Sequence, residues 1–434
     1  MKIMKKHGVA AVAAAMLTAT AVTVSGCSSG GSGVASDEDQ TIVVWDYYGS
    51  ASPITAAVPE FEKTHKNITV QVEALDWDSM LDKFPVAVSS GAAPDLVTAD
   101  MTWLPTFASG GLLSDLTPVS KDMINGKAFS DVYNAGALGA MKYNDTYVAA
   151  MYDFDAYCLY YRSDVLKAKG LTVPTTWDEF LQTVSSMAED TDGDGTFDKY
   201  ALQILPDSFH FAQLLAQNGG RFLNEDDTVA EFNSDAGVGA LAYMQKLLDA
   251  GGIYWGPSEG DSTGMPGIKD ERIGMFINGP YMMGVIKDGA PEQSGKWAVA
   301  PAPVGKQQGS YLGGTGLVIP TGAKHAAAAW EFAQFLLAPE NQEAVFTAAG
   351  AAPATTAGLA MPALSEPDPY FGGEVPFKDF EAAMETATPF PYVAEWESID
   401  SSITNALETA LLGKASPKDA LDAAAKSADS ELAK

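Results

Sequence analysis

Ile42-Val43-Val44-Trp45 and Ile68-Thr69-Val70-Gln71-Val72 bracket a helix-length segment, and this arrangement decides the fold class. The first run is continuous and apolar, as a strand covered on both faces requires, whereas the second alternates like a half-covered one. Between them Ile54, Val58 and Phe61 fall on one helical face, where Pro59 predicts a kink or a late start. Strand and helix patterns keep alternating after residue 40, the signature of an α/β protein. Thr176-Trp177-Asp178-Glu179 reads as a capping box whose helix continues inward through Phe180, Val184 and Met187. Phe332, Phe335 and Leu336 mark a later helix, and Ile399, Ile403, Leu407 and Leu411 recur every four residues in another.

With 434 residues the chain is long enough for two or three domain-sized units, which excludes a disulfide-stapled miniprotein. Hydrophobic residues at 47% against charged residues at 19% place the bulk among globular rather than disordered chains. The formal net charge of −30 disfavours nucleic acid, whose phosphates need concentrated Lys and Arg, and a peripheral grip on anionic lipid.

Lys2, Lys5 and Lys6 precede an apolar stretch from Gly8 to Val24, the charged and greasy regions of a secretory signal. Val24-Ser25-Gly26-Cys27 resembles the lipobox of bacterial lipoproteins, which implies a signal peptide at 1–26, cleavage before Cys27 and a lipid on that cysteine. A plain secretory signal with an incidental Cys27 is the alternative. Residues 27–40 then form a flexible tether with a reach of about 20 Å. The expected location is the extracytoplasmic face of the bacterial cell membrane, and the lack of a second long apolar run excludes a multi-pass protein. With Cys27 acylated, Cys158 has no partner for a disulfide and reads as a small buried hydrophobe.

Several stretches, in order, resemble the extracellular solute-binding proteins of bacterial ABC importers, in the sugar-binding family that includes maltose-binding protein. They are Pro94-Asp95-Leu96-Val97, Ala108 to Leu113, Asp155 to Arg162, Trp297 to Pro303, Gly313 to Ile319 and Pro417 to Leu421. The most specific is Ile273-Gly274-Met275-Phe276-Ile277-Asn278-Gly279-Pro280-Tyr281, similar to the family's strand and "N-G-P-W" turn. The resemblance implies an α/β, two-lobed periplasmic-binding-protein-like fold with hinge strands and an interlobe ligand cleft. It places 41–152 and 315–356 in one lobe, and 156–311 and 357–434 in the other. It also implies a carbohydrate ligand, ABC permease subunits as partners, and a monomer that is not an enzyme.

A pyranose offers hydroxyls at its rim and an apolar C–H face, so its site needs flat rings together with paired hydrogen-bonding groups. Ionised carboxylates accept from two adjacent hydroxyls. Tyr281 stands where the family's turn places a stacking Trp, with packing under the strand end as the alternative, and Trp396 matches an aromatic at the start of a C-terminal helix, where core packing fits equally. Trp255 lies in a glycine-bracketed loop, where either lobe packing or ligand covers it. Asp155 aligns with the carboxylate at the hinge crossing, and Asp153 lies on the same side of an extended chain. Tyr48, Asp100 and Trp103 occupy loops at carboxyl ends of strands, where open α/β sheets bind ligands. His210 follows Phe209 in a family aromatic position, and Gly314 marks the return crossing, serving close approach or hinge rotation.

Asp190, Asp192, Asp194, Gly195 and Asp198 reproduce the first part of an EF-hand loop, but its twelfth position is Ala201 rather than Glu. Structural calcium and an Asp/Gly turn both fit, and no cofactor is otherwise required. The competing function is an exported carbohydrate-active hydrolase with two carboxyls across a scissile bond. No G-x-S-x-G, H-E-x-x-H, Walker lysine or zinc-spaced Cys/His set supports it.

Overall fold

The computed structural model describes residues 38–48, 52–252 and 264–434, so the expected signal segment, Cys27 and Trp255 lie outside the described residues. Ten strands carry two sheets: β1 (Gln40–Asp46), β2 (Ile68–Ala74), β3 (Leu96–Asp100), β4 (Ala150–Asp155), β5 (Cys158–Arg162), β6 (Tyr200–Gln203), β7 (Ile273–Asn278), β8 (Trp297–Ala300), β9 (Ser310–Val318) and β10 (Ala387–Pro389). The first sheet runs β10-β9-β3-β1-β2, with β4 also paired to β9. Its centre is parallel, Ile42 facing Val70 and Val44 facing Val72, while β9 runs antiparallel to β3 and β4. The second sheet runs β6-β7-β5-β8.

Helix α1 (Pro53–Thr64) starts at its first possible turn, because the Ser52 hydroxyl accepts from Thr55 N at 2.9 Å and Pro53 supplies a fixed φ. The late start expected from Pro59 does not occur. Pro59 and Thr55, whose carbonyl loses its intrahelical partner, are both exposed. Helices α2 (Trp77–Ser90), α3 (Leu104–Ser109), α4 (Trp177–Met187), α5 (Ser208–Gln217), α6 (Met282–Gly289), α7 (Ala326–Leu336) and α8 (Trp396–Leu411) position the rest. The capping box of α4 is present in both directions between Thr176 and Glu179.

Each sheet has its own core. Ile42, Val44, Phe61 and Phe332 belong to the first; Phe180, Val184, Ile277, Ile399 and Ile403 belong to the second. Removing each such side chain from water stabilises by roughly 1.5–3 kcal/mol, which is why the four-residue spacing on α8 ends fully buried. Cys158 is buried as a hydrophobe in β5.

Among the described residues, two strand segments link the sheets. Asp155 to Cys158 leads from β4 into β5, and β9 returns, pairing β10 with its first residues and β4 with its later ones. Tyr157 N donates to Ser310 Oγ at 2.8 Å, tying the crossings together. Gly314 sits at φ 146°, and a Cβ there would lie 2.3 Å from the Asp153 carbonyl oxygen, so only glycine lets β9 pass β4 this closely.

Candidate binding cleft

Where the two halves meet, loops at the carboxyl ends of β1, β2 and β3 present rings. Tyr47 stacks on Tyr48 with centroids 5.1 Å apart and meets Trp77 and Trp103 edge-on at 5.1 and 5.6 Å. The second half answers with Phe209 on the first turn of α5, fixed by the Asp207 carboxylate accepting from His210 N at 2.8 Å. Trp77 and Phe209 touch across the junction at 6.2 Å, edge to face. Thr106 of α3 adds a hydrogen bond to the Ala394 carbonyl at 2.9 Å. Tyr47, Tyr48, Trp77, Phe209 and Tyr281 all remain partly exposed.

Carboxyls converge on the same junction. Asp153 accepts from the Thr315 amide at 2.8 Å and from the Tyr48 hydroxyl, while the hydroxyls of Tyr47 and Tyr48 meet Thr315 Oγ1 at 2.5 and 2.7 Å. Asp100 caps the turn that follows β3, accepting from Thr102 N at 2.8 Å and Thr102 Oγ1 at 2.5 Å. Burial holds these acids toward their neutral forms: Asp100 is pushed up to about 7 and Asp153 to about 6. Asp155 rises well above the carboxylate range for the same reason, with repulsion from Asp153 and Asp100 added. On α8, desolvation lifts Glu397 to about 8 and Asp400 to about 6. Among the described residues no Lys or Arg forms an ion pair with any of these five acids.

Among the described residues, buried polar atoms without a hydrogen-bond partner include both side-chain atoms of Gln213, one turn along α5 from Phe209, and Asp400 Oδ1. Buried polar groups in folded proteins are usually satisfied by protein, water or a bound molecule. Gly279 shapes the rim on the second side, since a Cβ there would come within 2.8 Å of Asp155 Oδ1 and 3.2 Å of the Tyr281 ring.

The sequence-derived residues fall into three groups. Tyr48, Asp100, Asp153, Asp155 and Tyr281 lie at or beside the junction, and Gly314 shapes the crossing. Trp103, His210 and Trp396 are instead corrected to supporting positions. Trp103 is 1% exposed behind Tyr47 and Trp77, and Trp396 is 1% exposed with its ring against Phe222 and Phe390. Both ring nitrogens of His210 face protein acceptors, Asp207 Oδ1 at 2.8 Å and the Ile277 carbonyl at 3.1 Å, so the ring pins α5 to β7. Trp255 lies outside the described residues. Missed by the sequence reading were Trp77, Tyr311, Gln213, Glu397 and Asp400. Trp77 carried a usable signal: it opens a helix directly after a strand, behind the Asp76 cap, at the rim where Tyr48 was sought.

In the Asp-rich loop, oxygens of Asp190, Asp192 and Asp194 gather within 4.8 Å of one another, all exposed. Asp190 accepts from Gly193 N at 2.7 Å and Gly195 N at 3.0 Å. Asp198 falls outside that trio, its carboxylate accepting from Thr191 N at 2.7 Å.

Comparison with known proteins places this geometry. The acarbose receptor GacH of Streptomyces glaucescens superposes with a TM-score of 0.81 at 24% identity, covering 92% of this chain and 99% of that one. The fold is therefore that of the two-domain periplasmic binding proteins. The galactooligosaccharide-binding protein of Bacillus subtilis is 23% identical over 441 residues, covering 100% of this chain and 98% of that protein. The maltooligosaccharide ABC transporter solute-binding lipoprotein of Streptococcus pneumoniae is 22% identical over 331 residues, 74% of each. Residues 46–343 match the family described as bacterial extracellular solute-binding protein, and the chain belongs to it.

Proposed function

We propose that the protein is the receptor of an ATP-binding-cassette importer, that its ligand is a carbohydrate of a few rings, and that it delivers this ligand unchanged to a permease pair. The observation that carries the reading is the junction itself: partly exposed rings from both lobes, Trp77 and Phe209 in contact, beside acids that form no ion pair with Lys or Arg among the described residues. Rings suit the apolar face of a pyranose and carboxyls its hydroxyls, donating when protonated and accepting when ionised. Relatives named for galactooligosaccharide and maltooligosaccharide support the class.

Ligand contacts made on both lobes favour the shut form by their differential affinity, and the shut shape is what the permease reads. The lobes are assigned to 41–152 with 315–356 and to 156–311 with 357–434. Export, cleavage before Cys27, lipidation there and a monomeric state complete the proposal, the lipobox and a relative named as a lipoprotein supporting the anchor. A structural calcium in the Asp190–Asp194 loop is proposed with it, on the convergence of three carboxylates.

Calorimetry of the purified body against an oligosaccharide panel, with chromatography of the same mixtures, tests the reading. Binding without new products is expected. Released monosaccharide would convert the assignment to the hydrolase alternative.

A further inference from the structure

The second lobe meets the first through α8 and the segment before it. α8 packs against α3 and against the turn Met101–Trp103 that Asp100 caps, and Thr106 of α3 donates to the Ala394 carbonyl at 2.9 Å, two residues before α8 begins. The first turn of α8 carries two acids, Glu397 and Asp400. Asp400 faces α5: the Ser208 hydroxyl donates to its carboxyl, Asp207 acts on it as a second negative charge, and its Oδ1 is buried without a hydrogen-bond partner. Glu397 is repelled by Asp400 beside it and by Asp100 across the junction, while Asp100 is repelled by Asp400 and by Asp153 behind it. Acids of both lobes thus share one contact largely removed from water.

The elements around this contact bring no base to it. α3 and the Met101–Trp103 turn carry no charged side chain, and His210 on α5 is held by Asp207 at 2.8 Å. Two further helices, Asp235–Asp249 and Pro417–Leu432, pack along the apolar stripe of Ile399, Ile403 and Leu407 on α8, with Lys246, Lys418 and Lys426 exposed. Among the described residues no Lys or Arg forms an ion pair with Asp100, Glu397 or Asp400. Carboxylates gathered away from water with no cation between them repel strongly, because the effective dielectric is low. Protonation removes the repulsion. Parting of the lobes removes it too, since water then solvates each group.

We propose that Asp100 of the first lobe and Glu397 and Asp400 of the second form a proton-sensitive latch: protonated, they let the lobes rest shut, and ionised, they drive them apart. The inference rests on the two-lobed closure proposed above and adds a second influence on it besides ligand. The sign follows from linkage. The shut form binds more protons than the open one, so the equilibrium moves toward opening as pH rises, by about tenfold per pH unit for each proton released. The window runs from the ordinary carboxylate range up to about 8, where Glu397 gives up its proton in the shut form. Such a receptor holds its ligand more firmly in acidified surroundings.

Small-angle X-ray scattering of the ligand-free protein from pH 5 to 8.5 tests this, with circular dichroism checking that each sample is folded. The wild-type radius of gyration is expected to rise across the range. Glu397→Gln combined with Asp400→Asn should stay compact throughout, and Asp100→Asn, on the facing lobe, should shrink the rise. Asp226→Asn combined with Glu366→Gln removes two charges at exposed positions and should keep the rise in full. A wild-type radius independent of pH, or a rise that Glu397→Gln with Asp400→Asn shows undiminished, overturns the latch; an undiminished rise in Asp100→Asn does so equally. The samples contain no sugar, so this outcome is separate from the calorimetry that decides the carbohydrate reading.

Discussion

Replacing Asp100 by asparagine should flatten the pH dependence of folding. Asp100 is 7% exposed with no cationic partner among the described residues, and burial moves its carboxyl from 3.8 to about 7. That difference corresponds to roughly 4 kcal/mol of preference for the neutral acid in the folded chain. Below pH about 4 both states carry the proton. Between pH 4 and 7 the unfolded carboxyl ionises while the folded one does not, so the folded chain binds more protons and stability falls as pH rises. Above 7 the full cost has been reached. Asparagine keeps an oxygen to accept from Thr102 N, as the aspartate does at 2.8 Å, yet does not titrate. Urea unfolding of the ligand-free protein from pH 5 to 8 should therefore show the variant gaining on wild type by roughly 2–3 kcal/mol across that range. Parallel curves for the two proteins would refute the claim that Asp100 is held neutral by burial.

Tyr281→Ala should weaken carbohydrate binding by about 1–3 kcal/mol in calorimetry, as loss of an aromatic platform does, while the melting temperature changes little. Trp396→Ala should do the reverse, costing about 3–5 kcal/mol of stability in chemical denaturation because the ring fills a core between Phe222 and Phe390. Gly314→Ala forces a Cβ to within 2.3 Å of the Asp153 carbonyl and should destabilise by at least ~1–3 kcal/mol, again read by denaturation. Calcium should raise the melting temperature and a chelator lower it, and Asp190→Asn should abolish the difference; melts indifferent to calcium would remove the proposed ion.

The architecture was legible because its signals are local. The runs at Ile42 and Ile68, the capping box at Thr176 and the four-residue spacing from Ile399 each depend on neighbours within a turn or a strand, and each formed its expected element. Of the two effects expected of Pro59, the late start did not occur, because the Ser52 cap and Pro53 set where α1 begins.

The site was legible in type but not in detail. Residue chemistry singled out rings and carboxylates, strand ends placed Tyr48 and Asp100 near the rim, and the family resemblance placed Asp155 with Asp153 beside it at the hinge crossing. Which ring faces solvent is set by packing between segments far apart in the chain: Trp396 is covered by Phe222 and Phe390, Trp103 by Tyr47 and Trp77, whereas Phe209 and Trp77 are left to meet across the junction. The sequence by itself thus determined strands, helices and the kinds of group available. Only the tertiary structure decided which groups are dry, which are paired and which carboxyls keep their protons, because burial is a property of the assembled surfaces and not of any stretch of chain.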